Sequence, residues 1–284
     1  MAEPIRIPTE DGFSLGGHHH AARGQPRGWV VLSSAMGVEQ GYYAAFAAHL
    51  AERGFHALTW DYRGIGASRP APEGRFGLMA WAQLDMEAAL GWALRRGGPV
   101  MVVGHSLGTQ LLGFARSAPE VAAVVGVGSQ SGDWRHWPFP SDLVMFLLSH
   151  LVLPALGTLL GRVPKGLMGE EIPGGPILHW ARWIRSRGYL LSEGEHVPPL
   201  FERLTCPITG ISIDDDRYAP RHAVDALYRI YARARVERLH LVPGDYGVPA
   251  IGHFGPFRRR FRDTLWPVLL RPLEAAAGRR NGAA

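Results

Sequence analysis

The sequence predicts an α/β protein in which helices cover both faces of a mostly parallel sheet. Short apolar runs rich in valine alternate with longer segments of helical spacing, which is typical of parallel strands joined by helical crossovers. The chain has 284 residues, of which 46% are hydrophobic, so it can bury a sizeable core. We therefore expect one core that carries a single insertion.

The predicted elements follow one another in a regular order. The chain opens with a hairpin, Ile5 to Ile7 and Ser14 to His19, around the turn-forming Glu10-Asp11-Gly12. The strand and helix pairs that follow are Trp29 to Ser33 with Tyr42 to Arg53, His56 to Trp60 with Trp81 to Arg96, and Val100 to Val103 with Leu107 to Arg116. The later elements are the strand Val121 to Val127, the strand Pro207 to Ile213, the helix Arg221 to Ala234, the strand Val236 to Val242, the final helix Phe257 to Leu270 and a frayed tail from Ala275 to Ala284.

An interruption of this order separates the fourth parallel strand from the fifth. It runs from about Gly132 to Leu200, is rich in Trp, Leu, Pro and Gly, and has helical stretches but no convincing strand. We interpret residues 132–200 as a mainly helical cap above the strand ends, and residues 1–131 and 201–284 as the core. Its longest apolar segment, Leu143 to Leu160, is interrupted by polar, proline and glycine residues, which argues against an ordinary membrane-spanning helix. These residues are Ser149, His150, Pro154 and Gly157.

Charge and cysteine content exclude several classes of protein. The net charge is +5, but the arginines form no long basic stripe and no nucleic-acid-binding motif is present, so we expect no nucleic acid partner. The single cysteine, Cys206, cannot form an intrachain disulfide. The polar stretch from Met1 to Gly12 is unlike a secretory signal, and we expect a cytoplasmic protein. His18, His19 and His20 have no carboxylate or thiol at ligand spacing nearby, so we expect neither a metal nor a cofactor.

The segment Gly104-His105-Ser106-Leu107-Gly108 has the spacing of a nucleophile elbow. It directly follows the predicted strand Val100 to Val103 and opens a helix, which is the context that this motif needs. The glycines leave room for a tight turn that holds the Ser106 hydroxyl above the sheet in a strained conformation. The alternative is a glycine-rich turn with a serine helix cap. His105 should face the core and have a structural role.

A serine nucleophile needs a base to take its proton and a carboxylate to orient that base. Asp214, Asp215 and Asp216 end the strand Ile208 to Ile213, and His253 lies between two glycines just before the final helix. Strand ends on the carboxyl side of a parallel sheet converge on one crevice, so these residues can meet Ser106. The residues themselves leave open which carboxylate serves; the others would form the turn or cap the next helix.

Stabilisation of a tetrahedral intermediate requires two backbone donors. One should be the amide of Leu107, and the other should come from the loop Ser34-Ala35-Met36-Gly37 after the first parallel strand. The segment from Asp61 to Ser68 lacks the glycine spacing of a dinucleotide-binding motif, so we interpret it as a structural turn that borders the site.

Taken together, these motifs resemble the α/β-hydrolase superfamily, in particular its serine-aminopeptidase and monoglyceride-lipase-like branch. The motifs that carry the resemblance are Asp61 to Ser68, Gly104 to Gly108, Asp216-Arg217-Tyr218-Ala219-Pro220 and Gly252-His253. The resemblance implies an α/β-hydrolase fold and selects Asp216, because the acid in that family begins a D-x-x-x-P stretch. Asp133 is a minor alternative, since some relatives place the acid after an earlier strand. The chain is also similar to a bacterial group of predicted hydrolases.

The chain departs from this family at the oxyanion loop, where relatives have His-Gly. Counting back from Gly41-Tyr42-Tyr43 places Ser34-Ala35 at that position, which makes the Met36 amide the implied second donor.

We expect a serine hydrolase that cleaves a carboxylic ester of a small or medium apolar substrate through an acyl-enzyme. Acyl transfer or thioester cleavage on the same triad is an alternative, and so is a non-catalytic protein that binds a small molecule. A lipase that associates with membranes through the apolar cap is a third. The sequence does not define the natural substrate or the oligomeric state.

Overall fold

The computed structural model describes residues 2–72 and 76–281, with side chains described as far as Gly278; the last residues of the predicted tail lie outside this range. Eight strands form one sheet in the order β1-β2-β4-β3-β5-β6-β9-β10. The first two strands pair antiparallel with their neighbours and the other pairs are parallel. The strands are β1 Ala2–Pro8, β2 Ser14–His20, β3 Trp29–Ser33, β4 His56–Trp60, β5 Val100–His105, β6 Ala123–Val127, β9 Ile208–Ile213 and β10 Val236–Leu241.

Helices cover both faces of this sheet, as the sequence predicts. Side chains alternate between the two faces along each strand, so that Val30 and Leu32 of β3 join one core cluster while Trp29 and Val31 join the other. The helices are α1 Ala44–Glu52, α2 Leu78–Ala80, α3 Glu87–Leu94, α4 Leu107–Gln110, α7 Gly174–Arg185, α8 Val197–Glu202, α9 Arg221–Tyr228 and α10 Trp266–Asn281, with α5 and α6 defined below. The apolar sides of α1 and α10 pack on the first cluster, and α3, α4 and α7 to α9 contribute to the second.

The predicted strand positions are confirmed to within a few residues, but several predicted helix ends are wrong. The helix after the elbow ends at Gln110 and continues only as a 3-10 turn, and α9 ends at Tyr228. The final helix begins at Trp266, so most of the predicted helix Phe257 to Leu270 instead consists of 3-10 and other turns. The prediction of a frayed tail from Ala275 is also wrong as far as Asn281, where α10 ends.

The segment between β6 and β9 is mainly helical. Its longest element is one continuous helix, Ser141–Leu160, called the apolar helix below, which includes α5 Ser141–Leu147 and α6 Leu153–Ala155 joined by wider turns. It passes through the four residues predicted to interrupt it, and by length and composition alone it could cross a membrane. One side of it is buried, at Ser149, Leu153 and Gly157.

A pair of two-residue strands, β7 Arg162–Val163 and β8 Ile172–Pro173, follows the apolar helix and corrects the expectation that this segment contains no strand. The pair is short, because Pro164 and Pro173 leave few backbone groups that can form a ladder.

Candidate active site

Ser106 stands at a sharp turn between β5 and α4. Its φ of 51° and ψ of −108° lie outside the regions that residues with a side chain usually adopt. The Ser106 amide donates to the Val127 carbonyl of the neighbouring strand over 2.9 Å, which fixes this strained backbone at the carboxyl edge of the sheet. The strain predicted for the elbow is therefore present at the serine itself.

The glycines on either side of Ser106 are required by close backbone packing. A Cβ on Gly104 would lie 2.7 Å from the Thr109 amide, and a Cβ on Gly108 would lie 2.2 Å from the Ser33 carbonyl oxygen. The second contact lets α4 approach the end of β3, so the elbow can form only if both positions lack a side chain.

Asp216 and His253 are brought together at the same edge. His253 Nδ1 lies 2.7 Å from Asp216 Oδ2, and the other carboxylate oxygen accepts from the amides of Tyr218 and Ala219 over 2.8 and 3.0 Å. The Asp216 side chain is completely buried. Because Asp216 is an acceptor for Nδ1–H, the free lone pair of a neutral His253 is on Nε2.

The two other carboxylates of the run have different partners. Asp215 accepts from the amides of Ile251 and Gly252, each over 2.9 Å, and so fastens the loop that carries His253. Asp214 lies on the surface, 3.3 Å from His240 Nε2. Asp214 and Asp215 form the turn after β9, as expected, and neither caps the next helix; the side chain of Asp215 in addition reaches a loop 36 residues away.

Asp133, the alternative acid, is engaged elsewhere. Its oxygens accept from the Arg135 amide and guanidinium and from the Gly188 amide. These bonds join the two ends of the segment that contains the apolar helix, and the structure pairs His253 with Asp216 instead.

Gly128 explains how His253 and Asp216 fit beside the elbow. It follows Val127, whose carbonyl accepts from Ser106, and a Cβ at Gly128 would lie 3.0 Å from His253 Cε1 and 3.2 Å from Asp216 Oδ2. Within the described residues no hydrogen bond joins the Ser106 hydroxyl to His253. Catalytic hydrogen bonds of a free enzyme are often long and tighten only in a substrate complex. What matters in the free protein is therefore that Ser106, His253 and Asp216 lie at the same edge of the sheet.

His105 forms part of a buried hydrogen-bond chain. Burial lowers its pKa well below the ordinary value, so the ring is neutral. Its Nε2–H donates to the His253 carbonyl over 3.0 Å, and Nδ1 accepts from the Tyr43 hydroxyl over 2.8 Å. The Tyr43 oxygen in turn accepts from the Ala35 amide over 3.0 Å. The predicted structural role of His105 fits these contacts, but its link to the loop of Ala35 has no signal in the local sequence.

The two predicted oxyanion donors lie in the loops that this chain joins. Met36 follows Ala35, and Leu107 is the first residue of α4. Within residues 2–72 and 76–281, neither amide donates to another protein group, so both are available to a ligand. The Gly37 carbonyl accepts from the Glu170 amide over 2.8 Å, which attaches this loop to the segment after the apolar helix.

The segment from Asp61 to Ser68 forms a buried turn next to this loop. Asp61 accepts from the amides of Gln40 and Ala67 over 2.7 and 2.9 Å, although burial raises its pKa. Arg63 pairs with the buried Asp85 over 2.7 Å. These contacts suit the structural turn that the sequence predicts.

Other polar clusters do not add to the site. His18 and His19 bond to Gln40 and His56, and no group of three or more potential metal-ligating side chains is found in the part of the chain that the structure describes. Two open clefts of about 590 and 570 Å³ have none of Ser106, Asp216 and His253 in their walls.

The fold and the sequence both match known proteins. Residues 24–167 match the family model described as serine aminopeptidase, S33. A soluble variant of monoglyceride lipase from Saccharomyces cerevisiae is similar in structure, with a TM-score of 0.68, 15% identity and coverage of 97% of this chain and 96% of that one. A thermophilic esterase from Thermogutta terrifontis has a TM-score of 0.60, 15% identity and coverage of 97% and 99%. The monoacylglycerol lipase of Paleococcus ferrophilus has a TM-score of 0.60, 17% identity and coverage of 93% and 98%.

A search of the curated proteins finds no match. The family model covers just over half of the chain, including β3 to β6 and the elbow, and the structural matches extend over nearly all of it. The chain belongs to the serine aminopeptidase S33 family of hydrolases and has the α/β-hydrolase fold, in the branch that resembles monoglyceride lipases.

Proposed function

We propose that the protein hydrolyses a carboxylic ester through an acyl-enzyme formed on Ser106. The Ser106 oxygen attacks the ester carbonyl carbon while His253 Nε2 takes the hydroxyl proton. The tetrahedral intermediate collapses, the carbon–oxygen bond to the alcohol breaks, and His253 returns the proton to the leaving alkoxide. Water then attacks the acyl-enzyme by the same route in reverse and releases the acid.

The contact between His253 and Asp216 is the observation that carries this proposal. A carboxylate 2.7 Å from Nδ1 favours the tautomer whose Nε2 can accept a proton, and it stabilises the imidazolium that forms. Its two amide donors keep the second carboxylate oxygen in place, so Asp216 orients the ring without rotating. Membership of a hydrolase family and the strained backbone of Ser106 support the same assignment.

The negative charge of the intermediate would be stabilised by the amides of Leu107 and Met36. Leu107 follows the nucleophile at the start of α4, where the helix presents unpaired N–H groups. The Met36 amide lies in the loop anchored by the bond from Ala35 to Tyr43. Support for this pair is that neither amide has a protein acceptor within the described ranges.

We propose that residues 132–200 act as a cap and that the substrate carries an apolar acyl or aryl group of small or medium size. The cap is fastened to both sides of the crevice. The Trp137 indole donates to the Arg217 carbonyl over 3.2 Å, next to Asp216, and Glu170 bonds to Gly37. Tyr218 is 64% exposed and its ring centre lies 5.3 Å from that of His253, so it offers an aromatic surface beside the base.

A fluorophosphonate probe tests the nucleophile directly. It should label the wild type and leave Ser106→Ala unlabelled, because only an activated serine forms the covalent adduct. Ser131→Ala is the matched control, since Ser131 is also buried but is not assigned a role in the chemistry, and it should still be labelled. Equal labelling of the wild type and Ser106→Ala would disprove the assignment.

A further inference from the structure

Both peptide groups that hold the Asp216 carboxylate are themselves held at their opposite ends. The amides of Tyr218 and Ala219 donate to Asp216 Oδ1 over 2.8 and 3.0 Å. Each N–H shares a rigid, planar peptide with the carbonyl of the preceding residue, which points the opposite way. Those two carbonyls belong to Arg217 and Tyr218, and each accepts a hydrogen bond from a side chain. The orientation of the acid is therefore set in part by residues that do not touch it.

The two side chains that hold these carbonyls are buried. The Arg217 carbonyl accepts from the indole of Trp137, in the proposed cap, over 3.2 Å. The Tyr218 carbonyl accepts from the side-chain amide of Gln130 over 3.1 Å. Trp137 and Gln130 are each 6% exposed, so water has little access to replace either donor. Removal of one of them would free a peptide that orients Asp216.

Gln130 is the last member of a series of hydrogen bonds that begins in the proposed cap. The Trp180 indole donates to the Tyr189 hydroxyl over 2.8 Å, and this hydroxyl donates to Gln110 Oε1 over 2.7 Å. Gln110 Nε2 in turn donates to Gln130 Oε1 over 3.1 Å. These four residues are called the glutamine chain below. Gln110 is the last residue of α4, so the glutamine chain joins the proposed cap, the helix of the elbow and the loop of the acid.

The two ends of the glutamine chain determine the direction of every bond in it. An indole N–H can only donate, and a backbone carbonyl can only accept. The Tyr189 oxygen accepts from Trp180 and therefore directs its own hydrogen to Gln110, whose amide must then turn its nitrogen towards Gln130. Bonds aligned in this way polarise and strengthen one another. With the opposite orientation, Gln130 would place an oxygen against the Tyr218 carbonyl and repel it.

Tyr189 connects the proposed cap to the two glutamines, and its backbone is strained. Its φ is 58°, and among the residues that the structure describes only Ser106 and Tyr189 combine a side chain with a positive φ. Such strain persists where the surrounding structure requires it, and it is concentrated at functional sites. Gly188 donates to Asp133 over 3.3 Å, and a Cβ on Gly132 would lie 2.4 Å from the Tyr189 ring. These contacts keep the Tyr189 hydroxyl within reach of Gln110.

Filling space does not require polar side chains at these positions. Tyr189 and Gln110 are 1% and 2% exposed, and burial of polar groups costs free energy that pairing only offsets. Apolar residues of the same shape would fill the volume at nearly the same stability. What the glutamine chain adds is an N–H group delivered to one particular carbonyl, in the loop of Asp216.

We propose that Gln130 and Trp137 are positioning residues for the acid. They hold the two peptides that fix the carboxylate of Asp216 towards His253, and Tyr189 keeps Gln130 in its donating orientation. The use of this acid in ester hydrolysis rests on the proposed function. The hydrogen bond between Asp216 and His253 is a property of the free protein, however, and can be measured without substrate.

The tautomer of the His253 ring tests the positioning in the absence of turnover. At about pH 8, where histidine is neutral, nitrogen-15 spectra of histidine-labelled wild type should show the His253 proton on Nδ1, because Asp216 accepts it there. The variant with both Gln130→Leu and Trp137→Phe should show a mixture of the two tautomers, since both peptides are released. The signal of His253 is the one that disappears in His253→Gln.

A pair of tyrosine variants tests the glutamine chain by kinetics. Tyr189→Phe should lower kcat on a soluble nitrophenyl ester about tenfold and leave KM within about twofold, because the acid is misplaced while the binding surface is intact. Tyr231→Phe is the matched control. The Tyr231 hydroxyl is also buried and donates to the Thr109 carbonyl of the same helix over 2.7 Å, but it lies outside the glutamine chain. Both variants should lose similar thermal stability, and only Tyr189→Phe should lose turnover.

Three outcomes would overturn the proposal. These are equal kcat values for the two tyrosine variants, an unchanged His253 tautomer in the double variant, and a wild-type ring that already carries its proton on Nε2. Thermal unfolding shows which variants are folded, and Tyr189→Phe, which removes a single oxygen, keeps the proposal testable if the double variant does not fold. A shifted tautomer in a protein that a fluorophosphonate does not label would support the positioning of Asp216 and contradict the proposed function.

Discussion

The crevice edge of the sheet and the apolar helix depart from the usual distribution of side chains in opposite directions. At the edge, polar side chains are buried, and the carboxylate and imidazole among them are paired, as Asp216 is with His253 and two amides. On the apolar helix, aliphatic side chains are exposed while a serine and a glycine are buried. Buried polar groups cost free energy unless they are paired, and exposed apolar groups cost it unless they are covered.

The two regions differ in where the compensation for their unusual side chains comes from. At the edge the compensation is internal, because the protein supplies its own hydrogen-bond partners. On the helix it is missing from the described part of the chain, where the aliphatic side chains stay exposed. Departures from a locally consistent design are expected where function requires them.

The largest effect on activity should come from removing the charge of Asp216 beside His253. Asp216→Asn should lower kcat by about four orders of magnitude, because the amide no longer selects the productive tautomer of His253. Asp215→Asn, the same change one residue away, should lower it by about tenfold at most, since one carbonyl oxygen can still hold the loop. Steady-state kinetics on a soluble nitrophenyl ester compare the two variants, and similar losses would contradict the assignment of Asp216.

The two sides of the apolar helix should differ strongly in stability. Leu153→Ala should lower the free energy of unfolding by about 2–5 kcal/mol, because Leu153 is fully buried and its removal leaves a cavity. Leu151→Ala, on the exposed side of the helix, should change it by about 0.5 kcal/mol or less. Denaturant unfolding measures both values, and a large loss at Leu151 would mean that this side is covered within the protein itself.

An added methyl group tests how closely the edge is packed. Gly128→Ala should lower kcat about a hundredfold, because the new Cβ displaces His253 and Asp216. Gly247→Ala is the matched control, since Gly247 has a φ of 64° against 60° for Gly128 and has nothing within 4 Å of its added Cβ. Both variants should lose a similar amount of stability from backbone strain, about 1 kcal/mol, whereas only the first should lose activity. Equal kcat values would show that the dyad tolerates the methyl group.

The smallest effect should be a dependence of stability on pH. Burial lowers the pKa of His20 to about 4 in the folded protein, so the unfolded chain binds more protons below about pH 6.5. The free energy of unfolding should therefore fall as pH decreases from about 6.5 towards 4, and His20→Gln should flatten this slope. His196→Gln, at an exposed histidine, should leave it unchanged. An unaltered slope in His20→Gln would contradict the burial argument.

The sequence predicts the centre of the molecule well because local patterns determine it. Valine-rich runs identify the parallel strands, and glycine spacing identifies the elbow, whose glycines are indeed needed for close packing. The end of the chain is less predictable. Phe257, Phe261 and Leu265 recur every four residues as in a helix and all three are buried. Phe257 and Phe261 nevertheless lie in 3-10 turns and Leu265 in the turn that follows, and the helix begins only at Trp266, followed by a proline suited to a first turn.

Contacts between distant residues are the part of the site that the sequence does not reveal. Residue type and position alone do not separate Asp215 from Asp216; the resemblance to a family favours Asp216, and the structure gives the two different partners, the Ile251 amide and the His253 ring. The pairing of Asp133 with Gly188 is equally invisible, since 55 positions separate the two residues. Such roles depend on tertiary geometry, which local periodicity does not encode.

The hydrogen-bond chain through Tyr43 and His105 has a practical consequence for redesign. It begins at the Ala35 amide and ends at the His253 carbonyl, so the two loops share one buried support. A loop transplanted from a relative in place of residues 34–37 would have to preserve the amide that meets the tyrosine, or the loop of His253 would lose part of its support. Directed evolution of this region should accordingly vary the two loops together.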